Sequence, residues 1–390
     1  MDTGNITPPS SPFAFFLSDN KNPVSKNMEI WNDPLPLNRK NQKTGKGFFI
    51  RYGDYFHAVQ TFLEGNRFKA LLQAVSVRLK QVVTLEKLDK INIYLEKHGE
   101  FYHPARVEVV FEHQKISFVL NVAVSDAGKK NIEIEYAVLQ KLESGFSYTP
   151  MVYGLGNVFV KEFQIDMFLG DWFEGYSEFH VTEASPRKRK IAVWDPLKGP
   201  WHLTKEQAKN VYRQATEILT AYYNPKTYEQ IYPWHHAAGD FILKLENKII
   251  DLKLITARNY TSLVQKNEDQ DLGSIMEAML LFFLNLSIRM RIDRLDGVGE
   301  IVWSGDFFVP EIVNGFFHGL DKKPRTETMG IPLAACFEYY FFLLPQKDLE
   351  KQALNISNTL HPHAPELPVI QKNLKKHIQN LKLAIIERQR

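Results

Sequence analysis

Apolar residues recur every three or four positions through Tyr55–Leu63 and again through Phe68–Val83, where Leu71, Leu72, Val75, Val77, Leu79 and Val82 make the repeat. Such spacing gathers them on one face of a 3.6-residue turn, so both stretches predict helices. From Lys90 to Asp126 the period drops to two. Ile91, Ile93 and Leu95 alternate with polar residues, as do Val107, Val109 and Phe111, then Phe118, Leu120 and Val122. Three strands are predicted, parted by turns at Lys97–Glu100 and Glu112–Lys115. A helix then opens at Ser125-Asp126-Ala127-Gly128 and runs to about Leu142, with Glu135 on the same face as Ile132, Leu139 and Leu142.

Two further strands are predicted, Asn157–Gln164 and one within Met167–Thr182. The polar, proline-containing stretch Glu183–Pro200 reads as a hinge-like connection. Thr204-Lys205-Glu206-Gln207 is a capping box and starts a helix that ends near Asn224-Pro225. A polar turn follows, Tyr232-Pro233-Trp234-His235-His236-Ala237-Ala238-Gly239-Asp240. Two β-type runs come after it, Phe241 to Leu245 and Lys248 to Thr256, the second with Asp251 at its middle. Leu272–Leu295 is apolar nearly all round and predicts a buried helix, Pro332–Leu344 another, and Val369–Arg390 a basic terminal one.

Composition changes this picture little. Apolar content is 44% and charged content 24%, and the net charge is +3 from 48 basic and 45 acidic residues, so no global field invites nucleic acid or an anionic surface. Arg187-Lys188-Arg189-Lys190 is read as a solvated loop. Cys336 is the sole cysteine, which fits a reducing compartment. The longest apolar run, Met279–Leu286, is well short of the ~20 residues that span a bilayer. The expectation is a cytoplasmic protein that binds neither nucleic acid nor membrane, its partner being a small-molecule substrate or a protein.

This order of elements resembles the protein-kinase-like fold, in particular its aminoglycoside-phosphotransferase and choline-kinase branch, over roughly Lys90–Leu320. The resemblance implies an α+β, bilobal architecture with a small antiparallel-sheet N-lobe and a mainly helical C-lobe. Its expected parts are an irregular arm over 1–47, a helical extension over 48–89, the N-lobe over 90–182 and the C-lobe over 183–390. The N-lobe sheet is expected to have about five strands, with the Gly128–Leu142 helix packed on it.

In that family the loop reads His-Gly-Asp, four residues, then Asn, with a hydrophobic-hydrophobic-Asp triplet about a dozen residues on. Two registers fit. With Asp240 at the Asn position, Asp251 follows 251 − 240 = 11 residues later and His235 falls where the family has its catalytic Asp. With Asp240 as the catalytic Asp itself, too few residues remain for a further ligand and a strand. On the preferred first register the resemblance implies that Asp240 and Asp251 hold magnesium. His235 would then take a proton from a small hydroxyl- or amine-bearing substrate of Mg-ATP.

Some of the family pattern is missing. Asn121 lies near the place of the phosphate-pairing lysine, and the turn His98-Gly99-Glu100-Phe101-Tyr102-His103 has one glycine where the protein kinases have three. Glu135 matches the helix glutamate, and Lys97, Arg106 or Lys161 are the candidates to pair with it. Two rival readings stay open: a pseudokinase that serves as a binding or scaffold module, and a metal-dependent hydrolase using His235, His236, Asp240 and Asp251.

Overall fold

A computed structural model describes residues 12–18, 22–36, 50–99, 101–143, 145–185, 188–195, 198–235, 239–265, 271–323 and 330–388. The chain divides into two compact units, Met1–Glu143 with Pro150–Glu174, and Ser144–Thr149 with Gly175–Arg390. The fold is α+β, with a sheet-rich N-terminal unit and a mainly helical C-terminal one.

In the first unit the elements are β1 (Phe13–Leu17), α1 (Tyr52–Leu79), β2 (Leu88–Leu95), β3 (Ala105–Phe111), β4 (Gln114–Ala123), α2 (Asp126–Leu142), β5 (Val152–Val160) and β6 (Phe163–Asp171). One sheet takes them in the order β1-β2-β3-β4-β6-β5. All pairings are antiparallel except β1 with β2, where Phe13 sits opposite Ile91 and Leu17 opposite Leu95. Part of the expected irregular arm is therefore an edge strand, because its short apolar run Phe13–Leu17 finds an open strand to pair with. The two predicted helices around residues 55–83 form one element with a break, since Gly65 to Phe68 leave the helical conformation.

Strand alternation gives this sheet two unlike faces. Ile91, Ile93, Val107, Val109, Phe118, Leu120 and Val122 lie on one, buried against Tyr55, Phe56, Val59, Leu63, Leu71 and Val75 of α1. Each such side chain withdrawn from water contributes roughly 1.5–3 kcal/mol. The registers put Asn92, Tyr94, Arg106, Glu108, Ser117 and Asn121 together on the other. The α2 helix packs on that second side, where Tyr136 meets Phe168, the residue opposite Asn121.

The second unit contains β7 (Ser177–Ser185), β8 (Lys188–Asp195), β9 (Gly199–His202), α3 (Lys205–Ala221), β10 (Glu229–Ile231), β11 (Phe241–Glu246), β12 (Ile249–Leu254) and β13 (Tyr260–Ser262). It continues with α4 (Leu272–Arg289), β14 (Ile292–Arg294), β15 (Ile301–Trp303), α5 (Val309–Asp321), α6 (Leu333–Leu343), α7 (Gln346–Asn358) and α8 (Leu367–Arg388). Its five-stranded sheet runs β12-β11-β7-β8-β9. The stretch read as a hinge-like connection, 183–200, is thus built largely of strand. Ile191, Ala192 and Val193 are buried in succession while Arg189, Lys190 and Trp194 meet solvent, so the stretch shows no period of two by which a strand could be read. Thr204 and Gln207 form the capping box on α3 as predicted. That helix packs closely on α5, where a Cβ on Gly315 would come within 2.2 Å of the Arg213 carbonyl oxygen.

Candidate functional site

Glu135 is the first candidate to place. Ser125 caps α2 by accepting from the Gly128 amide, which sets the helix phase and turns Glu135 inward with Ile132, Leu139 and Leu142. Glu135 is 1% exposed, and the hydroxyl of Tyr102 donates to its Oε2 at 2.8 Å. Tyr102 belongs to the β2–β3 turn, and that turn is fastened from two sides. Tyr55 of α1 donates to the His103 carbonyl at 2.8 Å, Tyr52 Oη meets His98 Nε2 at 3.2 Å, and the Nδ1 atoms of His98 and His103 lie 3.0 Å apart. Burial holds the His98 pKa below the usual histidine value. On the α2 side, a Cβ at Gly128 would fall 2.2 Å from the Phe101 carbonyl oxygen, so only glycine admits this approach.

The candidate cations divide. Arg106 is committed elsewhere: its Nε donates to Glu96 at 2.6 Å, its Nη1 lies 3.7 Å from Glu108, and its guanidinium stacks 3.9 Å over Tyr94. Lys161 donates to Asp54 at 2.9 Å. Neither is the partner of Glu135, because Glu96, Glu108 and Asp54 offer nearer carboxylates. Lys97 lies half-buried at the start of the β2–β3 turn. Around Glu108, burial pushes the pKa up, but hydrogen bonds from Asn92 and Lys115 and the charges of Lys115 and Arg106 hold it below the usual value. Asn121 is half-buried on the same face, opposite Phe168.

In the second unit Asp240 draws His235 and Arg258 together. This carboxylate is 1% exposed, and Arg258 holds both of its oxygens: Nη1 to Oδ2 at 2.6 Å and Nη2 to Oδ1 at 2.5 Å. The backbone amide of His235 donates to Oδ2 at 2.7 Å. Two parallel charge-assisted bonds are the strongest polar contact such a carboxylate can make. His235 itself lies at the surface, and its pKa is lowered by the bulk around it and by the Arg258 and Arg289 charges, against the pull of Asp240. His236, named with His235 in the hydrolase reading, is outside the described residues.

Asp251 does not join Asp240, and the expected magnesium pair is corrected here. Asp251 is opposite Lys244 in the β11–β12 hairpin, whereas the Asp240 carbonyl accepts from the amide of Ile255 at 2.8 Å. Four residues of strand part Asp240 from Lys244, about 13 Å at ~3.3 Å per residue. Carboxylates that share one magnesium each lie ~2.1 Å from it, so these two cannot. Asp251 accepts instead from Tyr176 Oη at 2.5 Å and has Lys253 at 3.6 Å. Desolvation, then the bond to Asp251, raises the Tyr176 pKa. Among the described residues no group of three or more His, Cys, Asp or Glu is placed to hold a metal ion.

The residues that sequence reading missed are the partners. Tyr102 was read only as part of a turn, and Arg258 lies 18 positions beyond Asp240 with nothing in the local pattern to mark it. The arrangement as a whole can fix a turn and hold a buried acid neutral in net charge. It does not bring two acids to one ion.

No protein-family model matches the chain, and no curated protein matches it. Among solved structures, a Plasmodium kinase domain is similar at 10% identity, over 76% of this chain and 86% of that one, with a TM-score of 0.27. A likeness of that size leaves activity, ATP use and branch undecided.

Proposed function

We propose that the chain is a kinase-like binding module that holds a protein partner and does not transfer phosphate. What supports the kinase-like part is the succession β2, β3, β4, α2, β5, β6 in the sheet order β2-β3-β4-β6-β5, followed by the capped α3, the 232–240 turn and the β11–β12 hairpin. What supports the non-catalytic part is one observation above the others: both oxygens of Asp240 are bound by Arg258. A divalent ion on that carboxylate would sit beside a guanidinium, and its repulsion would cancel much of the attraction to the acid. Asn121, at the lysine's place, adds no positive charge for a nucleotide phosphate.

On this reading ATP and magnesium, implied by the resemblance, are not required. The test is a phosphoryl-transfer assay with labelled Mg-ATP and a panel of small alcohols and amines. The proposal expects no label transfer beyond the protein-free rate. Transfer that disappears in Asp240→Asn would overturn it in favour of the phosphotransferase, with His235 as its proton acceptor.

A further inference from the structure

Three arginines of the second unit stand near the Tyr232–His235 turn, and two of them are neutralised. Arg258 holds the carboxylate of Asp240, and Arg294 of β14 donates to Glu366 at 3.2 Å. Arg289, in the last turn of α4, is half-buried and forms no ion pair among the described residues. Its Nε donates to the Asn285 side-chain oxygen at 3.1 Å, and Nη2 donates to the Tyr232 hydroxyl. Its guanidinium carbon lies 4.6 Å from the centre of the Tyr232 ring. Of the five N–H groups that a guanidinium carries, these bonds use two, leaving both on Nη1 and one on Nη2. Those remaining donors form the forked edge that takes two oxygens of a single oxyanion.

The charges around this edge do not cancel. Arg258, Arg289 and Arg294 stand against Asp240 and Glu366, so one cation is left over. His235, exposed on the turn, feels Asp240, Arg258, Arg289 and Glu366 together. Burial above all, then the two arginines, keeps its pKa below the usual histidine value, and a dianion on Arg289 would draw a proton onto the imidazole. A spare cation and an imidazole ready to take a proton match a phosphate group, which carries close to two negative charges at neutral pH. A carboxylate brings one charge and would leave the imidazole neutral. Arg289 also complements the carboxyl end of α4, but that end amounts to only roughly half a negative charge.

We propose that Arg289, with His235 at its rim, binds a phosphate group. The site goes beyond the binding-module reading: label transfer in the phosphoryl-transfer assay would end that reading and leave this site standing. The test titrates the full chain at about pH 7 with inorganic phosphate and with N-acetyl-phosphoserine amide, followed by phosphorus NMR and by the ring signals of His235. The expected result is saturable binding of inorganic phosphate with a dissociation constant on the order of 1–10 mM, while the His235 signals move toward the protonated position. Arg289→Gln should weaken binding at least about tenfold, and Arg289→Lys, which keeps the charge without the fork, about threefold. His235→Ala should weaken it about threefold with an unchanged thermal melt, so the site stays testable if the Arg289 variants unfold. Tighter binding of the phosphoserine compound supports a phosphate borne by a protein partner, and tighter binding of inorganic phosphate supports the free anion. No saturation by about 50 mM overturns the proposal, as does binding that both Arg289→Gln and His235→Ala leave intact.

Discussion

Two buried carboxylates, one in each unit, are equally withdrawn from water and differently held. Asp240 is gripped at both oxygens by the guanidinium of Arg258, 18 positions further along the chain, and Glu135 accepts from the hydroxyl of Tyr102 in the β2–β3 turn. A buried acid costs several kcal/mol unless its surroundings replace the lost hydration. The resemblance assigns both acids to ATP chemistry. The structure gives each a local task, Asp240 tying the His235 amide to Arg258 and Glu135 accepting from Tyr102 of the β2–β3 turn.

The largest effect expected from this contrast is at Arg258. Arg258→Met leaves Asp240 buried without its cation and should cost about 3–5 kcal/mol, read from urea unfolding. Asp240→Leu with Arg258→Met should recover most of that loss. If the single variant loses less than about 1 kcal/mol, the pair is not what holds the turn.

A buried cation sharpens the comparison. Arg291 is fully buried, donates to the Ser304 carbonyl at 2.6 Å and to Asp306 at 2.7 Å, and lies 3.3 Å from His377 Nδ1. Burial first, then the Arg291 charge, lowers the His377 pKa to about 3. Folded His377 is therefore neutral where the unfolded chain, with a histidine pKa near 6.5, takes up a proton. Stability is fully present above about pH 6.5 and falls as the pH drops toward 3, by on the order of 2 kcal/mol at pH 5. A His377→Gln variant should have a flatter profile between pH 6.5 and 5, and an unchanged slope would contradict the assignment.

Smaller effects follow at the remaining candidates. Tyr102→Phe removes one donor from Glu135 and should cost about 1.5–3 kcal/mol, with faster amide exchange in the β2–β3 turn. Asp251→Ala, on an exposed strand face, should change stability by less than about 0.5 kcal/mol. A loss above about 1 kcal/mol there would mean that the Tyr176 bond matters more than its exposure suggests.

Much of the fold was legible because local patterns carried it. The period-two runs at Ile91–Leu95, Val107–Phe111 and Phe118–Val122 became β2, β3 and β4, and the Thr204–Gln207 box capped α3. The strand read as Asn157–Gln164 was misplaced because a turn at Lys161-Glu162 divides it between β5 and β6. The edge strand β1 was hidden because five residues pair with a strand more than seventy positions away. The site was less legible for the same reason. Spacing located Asp240, but its meaning depends on Arg258, and Asp251 lay at a family-like distance in sequence while pointing to a different partner in the hairpin.

The claim that these acids serve the fold and not a nucleotide is tested most directly by calorimetric titration of the full chain with Mg-ATP. The account predicts no binding tighter than about 1 mM, because the Arg258 guanidinium occupies both oxygens of Asp240 and Asn121, near the place of the strand lysine, carries no charge. A dissociation constant near 10 µM that Asp240→Asn weakens at least tenfold would contradict it.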